Sequence, residues 1–271
     1  MECESLNTMS LTGVARSLAN AMQIEAPAQS EASNAAIDNL VKHVLGGEKA
    51  DRVLMYNPDA VALWLYQKYT HLYLPMLNKV KLTLPLQSVM PSVTPVCFGT
   101  MYTGAMPAVH GIRKYEKPVI KIDTIFDALL RAGKKPAIIA ITPCSLAKIY
   151  LERDMDYFIY DNYEDINAKA MELIEKDEHD FILVYNGNYD STMHKQGPEA
   201  EDSLKALQHN VNTYSQLHDK VAECWKHHNT LMAFAPDHGC HLIDGGSGSH
   251  GLDMPEDLNI LHFYDVLPKQ V

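Results

Sequence analysis

The sequence predicts an α/β fold, a three-layer α/β/α sandwich around a mostly parallel sheet. From residue 51 onward, short apolar runs alternate with amphipathic segments of helical period, which is typical of a parallel sheet covered on both faces. Residues with metal-binding side chains follow several apolar runs, where such sheets bind ligands. The 271 residues, 46% hydrophobic and 21% charged, suffice for one large α/β domain with a small addition.

Residues 1–50 are predicted to form this addition, a helical N-terminal appendage to the α/β domain of residues 51–271. The segment SLTGVARSLANAMQI has helical periodicity, and EAPAQSEAS has the composition of a linker. A second helix, NAAIDNLVKHVLGG, is predicted to end at Gly46 and Gly47. The pattern changes after these glycines, so we place the boundary near residue 50.

Six apolar runs predict the strands of the sheet. They are RVLMY (52–56), PAIIAI (136–141), DYFIY (156–160), DFILVY (180–185), TLMAFA (230–235) and NILHFY (259–264). Helices are predicted between them, most clearly over TIFDALLRAG, NYEDINAKAMELIEK and EDSLKALQHNVNTYSQLHDKVAECWKHH.

Composition limits the classes of function. The net charge of -11 argues against binding to a nucleic-acid polymer. No run approaches the roughly 18 apolar residues of a membrane span, and the first residues lack the charged and apolar regions of a signal peptide. The cysteines include no CxxC pair and predict free thiols in a reducing compartment. These are Cys3, Cys97, Cys144, Cys224 and Cys240. We therefore expect a soluble cytoplasmic protein with no membrane or nucleic-acid partner.

Ligand-type side chains follow the ends of three predicted strands. RVLMY runs into NPD, DFILVY into NGNYDSTMH, and TLMAFA into PDHG. Because the carboxyl ends of parallel strands lie at one edge of a sheet, we expect these side chains to meet there. The residues concerned are Asn57, Asp59, Asp190, His194, Asp237 and His238.

Each Asp–His pair has an ordinary structural explanation besides metal binding. Asp190 and His194 are four residues apart, so both could reach one cation from one side of a helical turn. Such a pair also occurs as a surface ion pair. Asp237 and His238 could face one metal where Gly239 lets the backbone turn, and the alternative is a hydrogen-bonded loop histidine.

A third imidazole, His250, lies in the glycine-rich stretch GSGSHG. Taken alone it could be an ordinary histidine of a flexible loop. Together with two Asp–His pairs it would complete the ligands of two adjacent cations. Mixed nitrogen and oxygen ligands favour zinc, with manganese or iron as alternatives.

A hydroxyl residue precedes a small-residue helical stretch in VMPSVTPVCFGTMYTGAMPAVHGI, residues 89–112. A helix that begins at Thr94 would hold this hydroxyl in the positive field of the helix N-terminus, where phosphate also binds. A free threonine hydroxyl is a poor nucleophile, and coordination to a metal would help to deprotonate it. The structural alternative is that Thr94 or Ser92 only caps the helix.

Four segments together resemble the type I phosphodiesterase/nucleotide pyrophosphatase family of the alkaline phosphatase superfamily. PSVTPVCFGTMYTGAMPAVHGI is similar to the nucleophile segment of the family, and YDSTMHKQGPEAEDSLKAL to its D-x-x-x-H-K-x-G-P segment. PDHG and GSHG resemble two of its ligand loops. All four occur in the order of the family, and only their combination is specific. The resemblance implies an alkaline-phosphatase-like fold for the α/β domain.

The resemblance also implies roles for individual residues. Thr94 matches the nucleophile of the family, and the second metal of the family contacts this hydroxyl. The residues that match the ligands of the first metal are Asp190, His194 and His250, and those that match ligands of the second are Asp237 and His238.

The sequence departs from the family at three places. The remaining ligand of the family is an aspartate after the first strand; here MYNPDA places Asn57 at that position and Asp59 two residues later, so either could fill it. Cys97 stands where the family has an asparagine. His250 follows His238 by only twelve residues, too few for the insertion that caps the substrate in nucleotide pyrophosphatases. We therefore expect an open pocket, or one completed by the N-terminal helices or by a partner subunit in a homo-oligomer.

These features predict metal-dependent hydrolysis of a phosphodiester or pyrophosphate bond through a covalent phospho-threonine intermediate. Two divalent ions, zinc or manganese, would act on a small-molecule phosphate ester, for example a nucleotide. The alternatives are a phosphomonoesterase or phosphomutase, and a non-catalytic metal-binding member, which Asn57 favours. The Thr94-Pro95 context is not that of a sulfatase. A diester is expected because no arginine lies between Thr94 and His110 to neutralise the second charge of a monoester.

Overall fold

The computed structural model describes residues 5–270 and confirms the predicted α/β class. Nine strands and twelve α-helices occur within these residues. The strands are β1 (Arg52–Pro58), β2 (Leu82–Gln87), β3 (Pro136–Ile141), β4 (Asp156–Tyr160), β5 (Phe181–Asn186), β6 (Thr230–Phe234), β7 (His241–Leu242), β8 (Gly248–Ser249) and β9 (Asn259–Leu267). The helices are α1 (Gly13–Met22), α2 (Ala35–Leu45), α3 (Leu63–Lys68), α4 (Leu74–Leu77), α5 (Thr94–Thr103), α6 (Pro107–His110), α7 (Ile125–Arg131), α8 (Ser145–Ile149), α9 (Tyr163–Lys176), α10 (Asn188–Gln196), α11 (Glu201–Cys224) and α12 (Pro255–Leu258).

Seven strands form one sheet in the order β2-β9-β6-β1-β5-β3-β4, and β7 pairs with β8 in a separate ladder. Strands β6, β1, β5, β3 and β4 run parallel, whereas β9 is antiparallel to both β6 and β2. All six predicted strands are confirmed, with small shifts at their ends. The prediction missed β2, whose sequence contains Pro85. Because β2 lies at the edge of the sheet, this proline is tolerated there.

Alternation of side chains along the strands divides the core into two layers. Val53 and Met55 of β1 pack with α1, α2, α5, α7 and α8 on one face of the sheet. Leu54 and Tyr56 pack with α3, α4, α9, α10 and α11 on the other. The predicted three-layer α/β/α sandwich is therefore confirmed.

The two N-terminal helices pack into the layer that contains α5. Leu18 of α1 and Ile37 of α2 are fully buried in the same apolar cluster as the strands of the sheet. Ser10 bridges to Gln87 of β2, and the backbone N–H of Glu31 donates to the carbonyl oxygen of Gly104. These contacts hold residues 10–45 against the sheet, while the domain boundary near residue 50 stays a prediction.

Four of the five cysteines are free thiols, as predicted: Cys97, Cys144, Cys224 and Cys240. The fifth, Cys3, lies outside the described residues. None of the helices in residues 5–270 has the length and apolar character that crossing a membrane requires.

Candidate active site

The carboxyl ends of β5, β1 and β6 lie side by side in the centre of the sheet. Odd-numbered residues of β1, such as Met55, face the layer that contains α5, and Asp59 continues this alternation beyond the strand. In β6 and the residues that follow it, Ala233 and Ala235 face the same layer, and Asp237 continues this alternation. Both carboxylates therefore lie on the side of the sheet where α5 begins.

Three buried side chains form a first candidate ligand group, here the Asp59 group: Asp59, Asp237 and His238. Nε2 of His238 lies 3.3 Å from Oδ1 of Asp59 and 3.3 Å from Oδ2 of Asp237. The three side chains are at most 1% exposed. Two carboxylates and an imidazole buried together are a costly arrangement unless a cation is shared among them.

A second group, here the Asp190 group, consists of Asp190, His194 and His250. Asp190 and His194 lie one turn apart on α10, with Nε2 of His194 3.2 Å from Oδ1 of Asp190. His250 follows β8, and its Nε2 lies 3.1 Å from that of His194. The rings of His250 and His238 stack with their centroids 4.1 Å apart, so the two groups adjoin.

The backbone fixes the orientation of all three imidazoles. Nδ1 of each ring lies 2.8–3.0 Å from a carbonyl oxygen, that of Gly248 for His194, of Ser92 for His250 and of Gly239 for His238. Since a carbonyl oxygen only accepts, we assign a ring proton to Nδ1. Each Nε2 then has a lone pair that it can offer to a cation held together with the carboxylates. This is the arrangement that metal-binding histidines have.

Two buried carboxylate oxygens, one in each group, also fit a metal site. Oδ1 of Asp190 and Oδ2 of Asp237 are buried and have no hydrogen-bond partner within residues 5–270. Buried oxygens of this kind are normally satisfied, and here they face imidazole nitrogens across each group. Nitrogen and oxygen donors in groups of three fit divalent metals such as zinc and manganese.

Protons can take the place of a cation in these groups. Burial raises the pKa of Asp59 to about 7, and the charge of Asp190 adds to the effect. Burial and the charge of Asp59 raise the pKa of Asp237 well above its usual value. The carboxylate of Asp190, 3.2 Å from Nε2, raises the pKa of His194. Metal binding at these residues therefore competes with protons.

The hydroxyl of Thr94 lies against the Asp59 group. Its Oγ1 is 3.3 Å from Oδ2 of Asp59 and 3.4 Å from Nε2 of His238. Helix α5 begins at Thr94, as predicted. Its N-cap residue is Val93, and no side chain caps it. The structural alternative, in which Thr94 or Ser92 caps the helix, is therefore wrong.

Asn57 joins neither group. Its Nδ2 donates to the carbonyl oxygen of Ala235 at 2.7 Å, and the hydroxyl of Tyr102 donates to its Oδ1 at 2.5 Å. The side chain is fully buried beneath α5. Of the two residues considered for the remaining ligand position, the structure brings Asp59 to the group and leaves Asn57 in the core.

Sequence analysis missed Tyr185, whose hydroxyl donates to Oδ2 of Asp59. This residue ends the apolar run DFILVY, so it was counted only as part of a strand. Its position two residues after Leu183, on the face that packs against α5, is the signal that could have identified it.

Cys97, which stands where the family has an asparagine, is fully buried. Its Sγ lies 3.2 Å from Oγ of Ser88.

Gly239 has a different role from the predicted one. A Cβ at this position would lie 2.0 Å from the carbonyl oxygen of Glu256 and 2.9 Å from Cβ of Ala62. Its φ is not in the left-handed region. The glycine therefore allows two backbone segments to approach each other, and this packing fixes the loop that carries Asp237 and His238.

Both groups and Thr94 border a cavity of about 390 Å³. Asp59, Thr94 and Asp190 line its floor, and Tyr115 and Tyr163 line it further out. No residue before Asp59 is among its lining residues in the described chain. The N-terminal helices therefore do not complete the pocket, which was one of the expectations from the sequence.

The fold is similar to that of solved members of the alkaline phosphatase superfamily. An alkaline phosphatase superfamily protein from Vibrio parahaemolyticus superposes with a TM-score of 0.56 and 15% identity, over 83% of this chain and 61% of its own. Murine ectonucleotide pyrophosphatase/phosphodiesterase 5 superposes with a TM-score of 0.57 and 21% identity, over 72% of this chain and 58% of its own. Phosphonoacetate hydrolase from Sinorhizobium meliloti superposes with a TM-score of 0.54 and 17% identity, over 72% of this chain and 59% of its own. The chain thus spans about 60% of the length of these structures.

The family follows from the sequence match. A family model described as type I phosphodiesterase/nucleotide pyrophosphatase matches residues 59–259. The chain therefore belongs to the type I phosphodiesterase/nucleotide pyrophosphatase family, a family of hydrolases, and the prediction made from its four motifs is confirmed. No curated protein matches the chain.

Proposed function

We propose that this protein is a metal-dependent hydrolase of phosphodiester or pyrophosphate bonds in which Thr94 is the nucleophile. The observation that carries the proposal is the position of Oγ1 of Thr94, within 3.5 Å of both Asp59 and His238. A buried threonine hydroxyl against a carboxylate and an imidazole, beside a second group of the same kind, matches a nucleophile at a two-metal site. Family membership supports the same chemistry.

The Asp59 group and the Asp190 group would each hold one divalent cation, for which we propose zinc, with manganese as the alternative. When bound, such cations would stabilise the charge on the phosphoryl oxygens and lower the pKa of hydroxyl groups beside them. Ligand donors from three strand ends and a rigid two-stranded ladder keep the groups adjacent without requiring the chain to rearrange.

The chain's own residues position the reaction. Asp59 and His238 hold the hydroxyl of Thr94 at the first turn of α5, a ten-residue helix whose N-terminal field favours an anionic phosphate. Oγ1 of Thr94 would lose its proton to solvent and form a bond to phosphorus while the bond to the departing oxygen breaks, and that oxygen would take up a proton from solvent. Water would then attack the phospho-threonine, releasing the phosphate product and restoring the hydroxyl.

The substrate would be a small phosphate ester rather than a polymer. A neighbouring structure of murine ectonucleotide pyrophosphatase/phosphodiesterase 5 holds AMP, which supports a nucleotide-like ligand. A singly charged diester is favoured over a monoester, because no lysine or arginine lines the cavity within the described chain. A cytoplasmic location and a homo-oligomeric state stay predictions from the sequence.

The test is turnover by Thr94 variants on bis(4-nitrophenyl) phosphate. We expect Thr94→Ala to abolish turnover and Thr94→Ser to retain part of it, with metal content and melting temperature close to those of the wild type. Thr103→Ala removes another buried hydroxyl of the same helix, one that donates to the carbonyl oxygen of Gly99, and is the matched control. Wild-type turnover by Thr94→Ala would overturn the nucleophile assignment.

The same preparations test the alternatives. A preference of about tenfold or more in kcat/KM for 4-nitrophenyl phosphate over the diester would indicate a phosphomonoesterase or phosphomutase. Stoichiometric zinc or manganese without turnover of any ester would indicate a non-catalytic metal-binding member. Protein that binds neither metal would contradict the assignment of both ligand groups.

A further inference from the structure

The cavity beside Thr94 has a wall made largely of hydroxyl groups. Beyond the two ligand groups, Thr94 and Tyr185, five of its lining residues carry a hydroxyl group, and a sixth carries a carboxylate. These residues are Tyr115, Thr142, Ser145, Tyr163, Ser191 and Asp161. Such a wall offers several donors and acceptors to an organic group attached to the phosphate.

The wall carries negative but no positive charge. No lysine, arginine or histidine is among the residues that line the cavity in the described chain. Asp161 follows β4 and belongs to neither ligand group, so its charge would not be neutralised by a metal. Lys117 places its ammonium 4.9 Å from the centroid of the Tyr115 ring and is not a lining residue. A second anionic group in the cavity would therefore meet repulsion.

Ser145 and Tyr163 are the hydroxyls best placed to act as fixed donors. Ser145 is 4% exposed at the start of α8, so its rotation is restricted by packing. Tyr163 is half-buried at the start of α9, and burial raises the pKa of its phenol while the hydroxyl of Ser191 lies beside it. Both residues are held by helices on the outer side of the cavity, and a rigid wall favours selectivity.

We propose that this cavity binds the organic group of a phosphodiester and selects a group that is uncharged and bears hydroxyls, such as a sugar or polyol, against one with a second negative charge. The inference rests on the proposed phosphodiesterase function and narrows it. It favours a phosphodiester over a pyrophosphate as substrate, because the second phosphate of a pyrophosphate would find no cation among the residues that line the cavity in the described chain, which include the carboxylate of Asp161.

The test compares three esters of 4-nitrophenyl phosphate that differ only in the other organic group. The glyceryl ester bears hydroxyls, the ethyl ester bears none, and the carboxymethyl ester adds one negative charge. We expect kcat/KM for the glyceryl ester to exceed that for the ethyl ester by about threefold to tenfold, as one or two hydrogen bonds would give. We expect the carboxymethyl ester to be slower than the ethyl ester by about fivefold or more.

Variants assign each effect to its residue. Ser145→Ala and Tyr163→Phe should each reduce the ratio of kcat/KM for the glyceryl ester to kcat/KM for the ethyl ester. Asp161→Asn should reduce the discrimination against the carboxymethyl ester. Asp154→Asn is the matched control, since it makes the same change of charge before β4, at the opposite end of the strand from Asp161.

Two outcomes would overturn the inference. One is equal kcat/KM for the glyceryl and ethyl esters. The other is discrimination against the carboxymethyl ester that is as strong in Asp161→Asn as in the wild type. Binding of the glyceryl and ethyl esters to the metal-loaded Thr94→Ala protein is the second measurement. If no ester is hydrolysed, the proposed function fails, and the two dissociation constants still decide the inference: tighter binding of the glyceryl ester supports it and equal binding contradicts it.

Discussion

Asn57 and Asp59 lie two residues apart on the same side of the chain, and their surroundings give them opposite roles. Asn57 still lies within β1, opposite Tyr185 of β5, and its amide hydrogen bonds are made within the core. Asp59 lies beyond the strand, where its carboxylate meets Asp237 and His238. A distance of two residues along the chain therefore separates an amide of the core from a candidate metal ligand on the same side of the strand.

Exchanging the two functional groups should separate stability from metal binding. In Asn57→Asp, a carboxylate oxygen would replace the Nδ2 that donates to Ala235, so we expect a loss of roughly 3 kcal/mol in the free energy of unfolding. In Asp59→Asn, we expect weaker metal binding and little loss of stability in the metal-free protein. Denaturant unfolding and metal titration measure the two effects. Tighter metal binding by a folded Asn57→Asp, with unchanged binding by Asp59→Asn, would reverse the assignment.

At the scale of elements, the connection from β5 to α10 sets the geometry of the site. Gly187 lies between them with φ -100 and ψ 17, a conformation that other residues adopt. A Cβ there would nevertheless lie 2.8 Å from the hydroxyl oxygen of Tyr185, the group that donates to Asp59. A side chain at this position would therefore displace the hydroxyl of Tyr185.

We expect Gly187→Ala to displace the tyrosine and lower kcat/KM by roughly tenfold to a hundredfold, as small misplacements at a reacting centre do. The effect should be non-additive. Because Tyr185→Phe already removes the hydroxyl that the methyl group would displace, the double variant should turn over about as fast as Tyr185→Phe alone. Additive losses in this cycle, measured with bis(4-nitrophenyl) phosphate, would show that Gly187 acts by another route.

Across the whole molecule, two buried histidines make the fold sensitive to acid. His110 accepts from the N–H of Ile112 at Nδ1, and Nε2 lies 3.0 Å from the hydroxyl oxygen of Thr100. Nε2 of His262 lies 2.8 Å from the carbonyl oxygen of Pro236, next to the ligand loop. Burial lowers the pKa of each imidazole to about 4, from 6.5 for a free side chain.

The stability contributed by these two histidines should therefore fall as the pH falls from about 6.5 to 4, while the raised pKa values of Asp59 and Asp237 act in the opposite direction. At each histidine the unfolded chain binds in this window a proton that the folded chain excludes, which favours unfolding by up to about 3 kcal/mol. We expect the free energy of unfolding of the wild type to fall relative to that of His110→Gln between pH 7 and pH 4, measured by denaturant unfolding. His227→Gln, a change at an exposed side chain, is the control. An equally steep profile for His110→Gln would contradict the account.

The sequence predicted the layers of the fold because buried parallel strands leave continuous apolar runs. It missed β2, where the alternation is short and Pro85 interrupts it. Both ligand groups consist of residues that were named from strand ends and one loop. The choice between Asn57 and Asp59 was not predictable, since it depends on where β1 passes beneath α5. Tyr185 was missed because an aromatic residue at a strand end has the same pattern whether it packs in the core or supports a carboxylate.

The stereochemistry at phosphorus shows whether Thr94 forms a covalent intermediate. A phosphorothioate diester of known configuration would be hydrolysed in ¹⁸O-labelled water, and the configuration of the product determined. Each in-line displacement inverts phosphorus, so attack by Thr94 followed by attack of water gives net retention. We expect retention by the wild-type protein. Inversion would show that water attacks the ester directly, and would contradict the role assigned to Thr94.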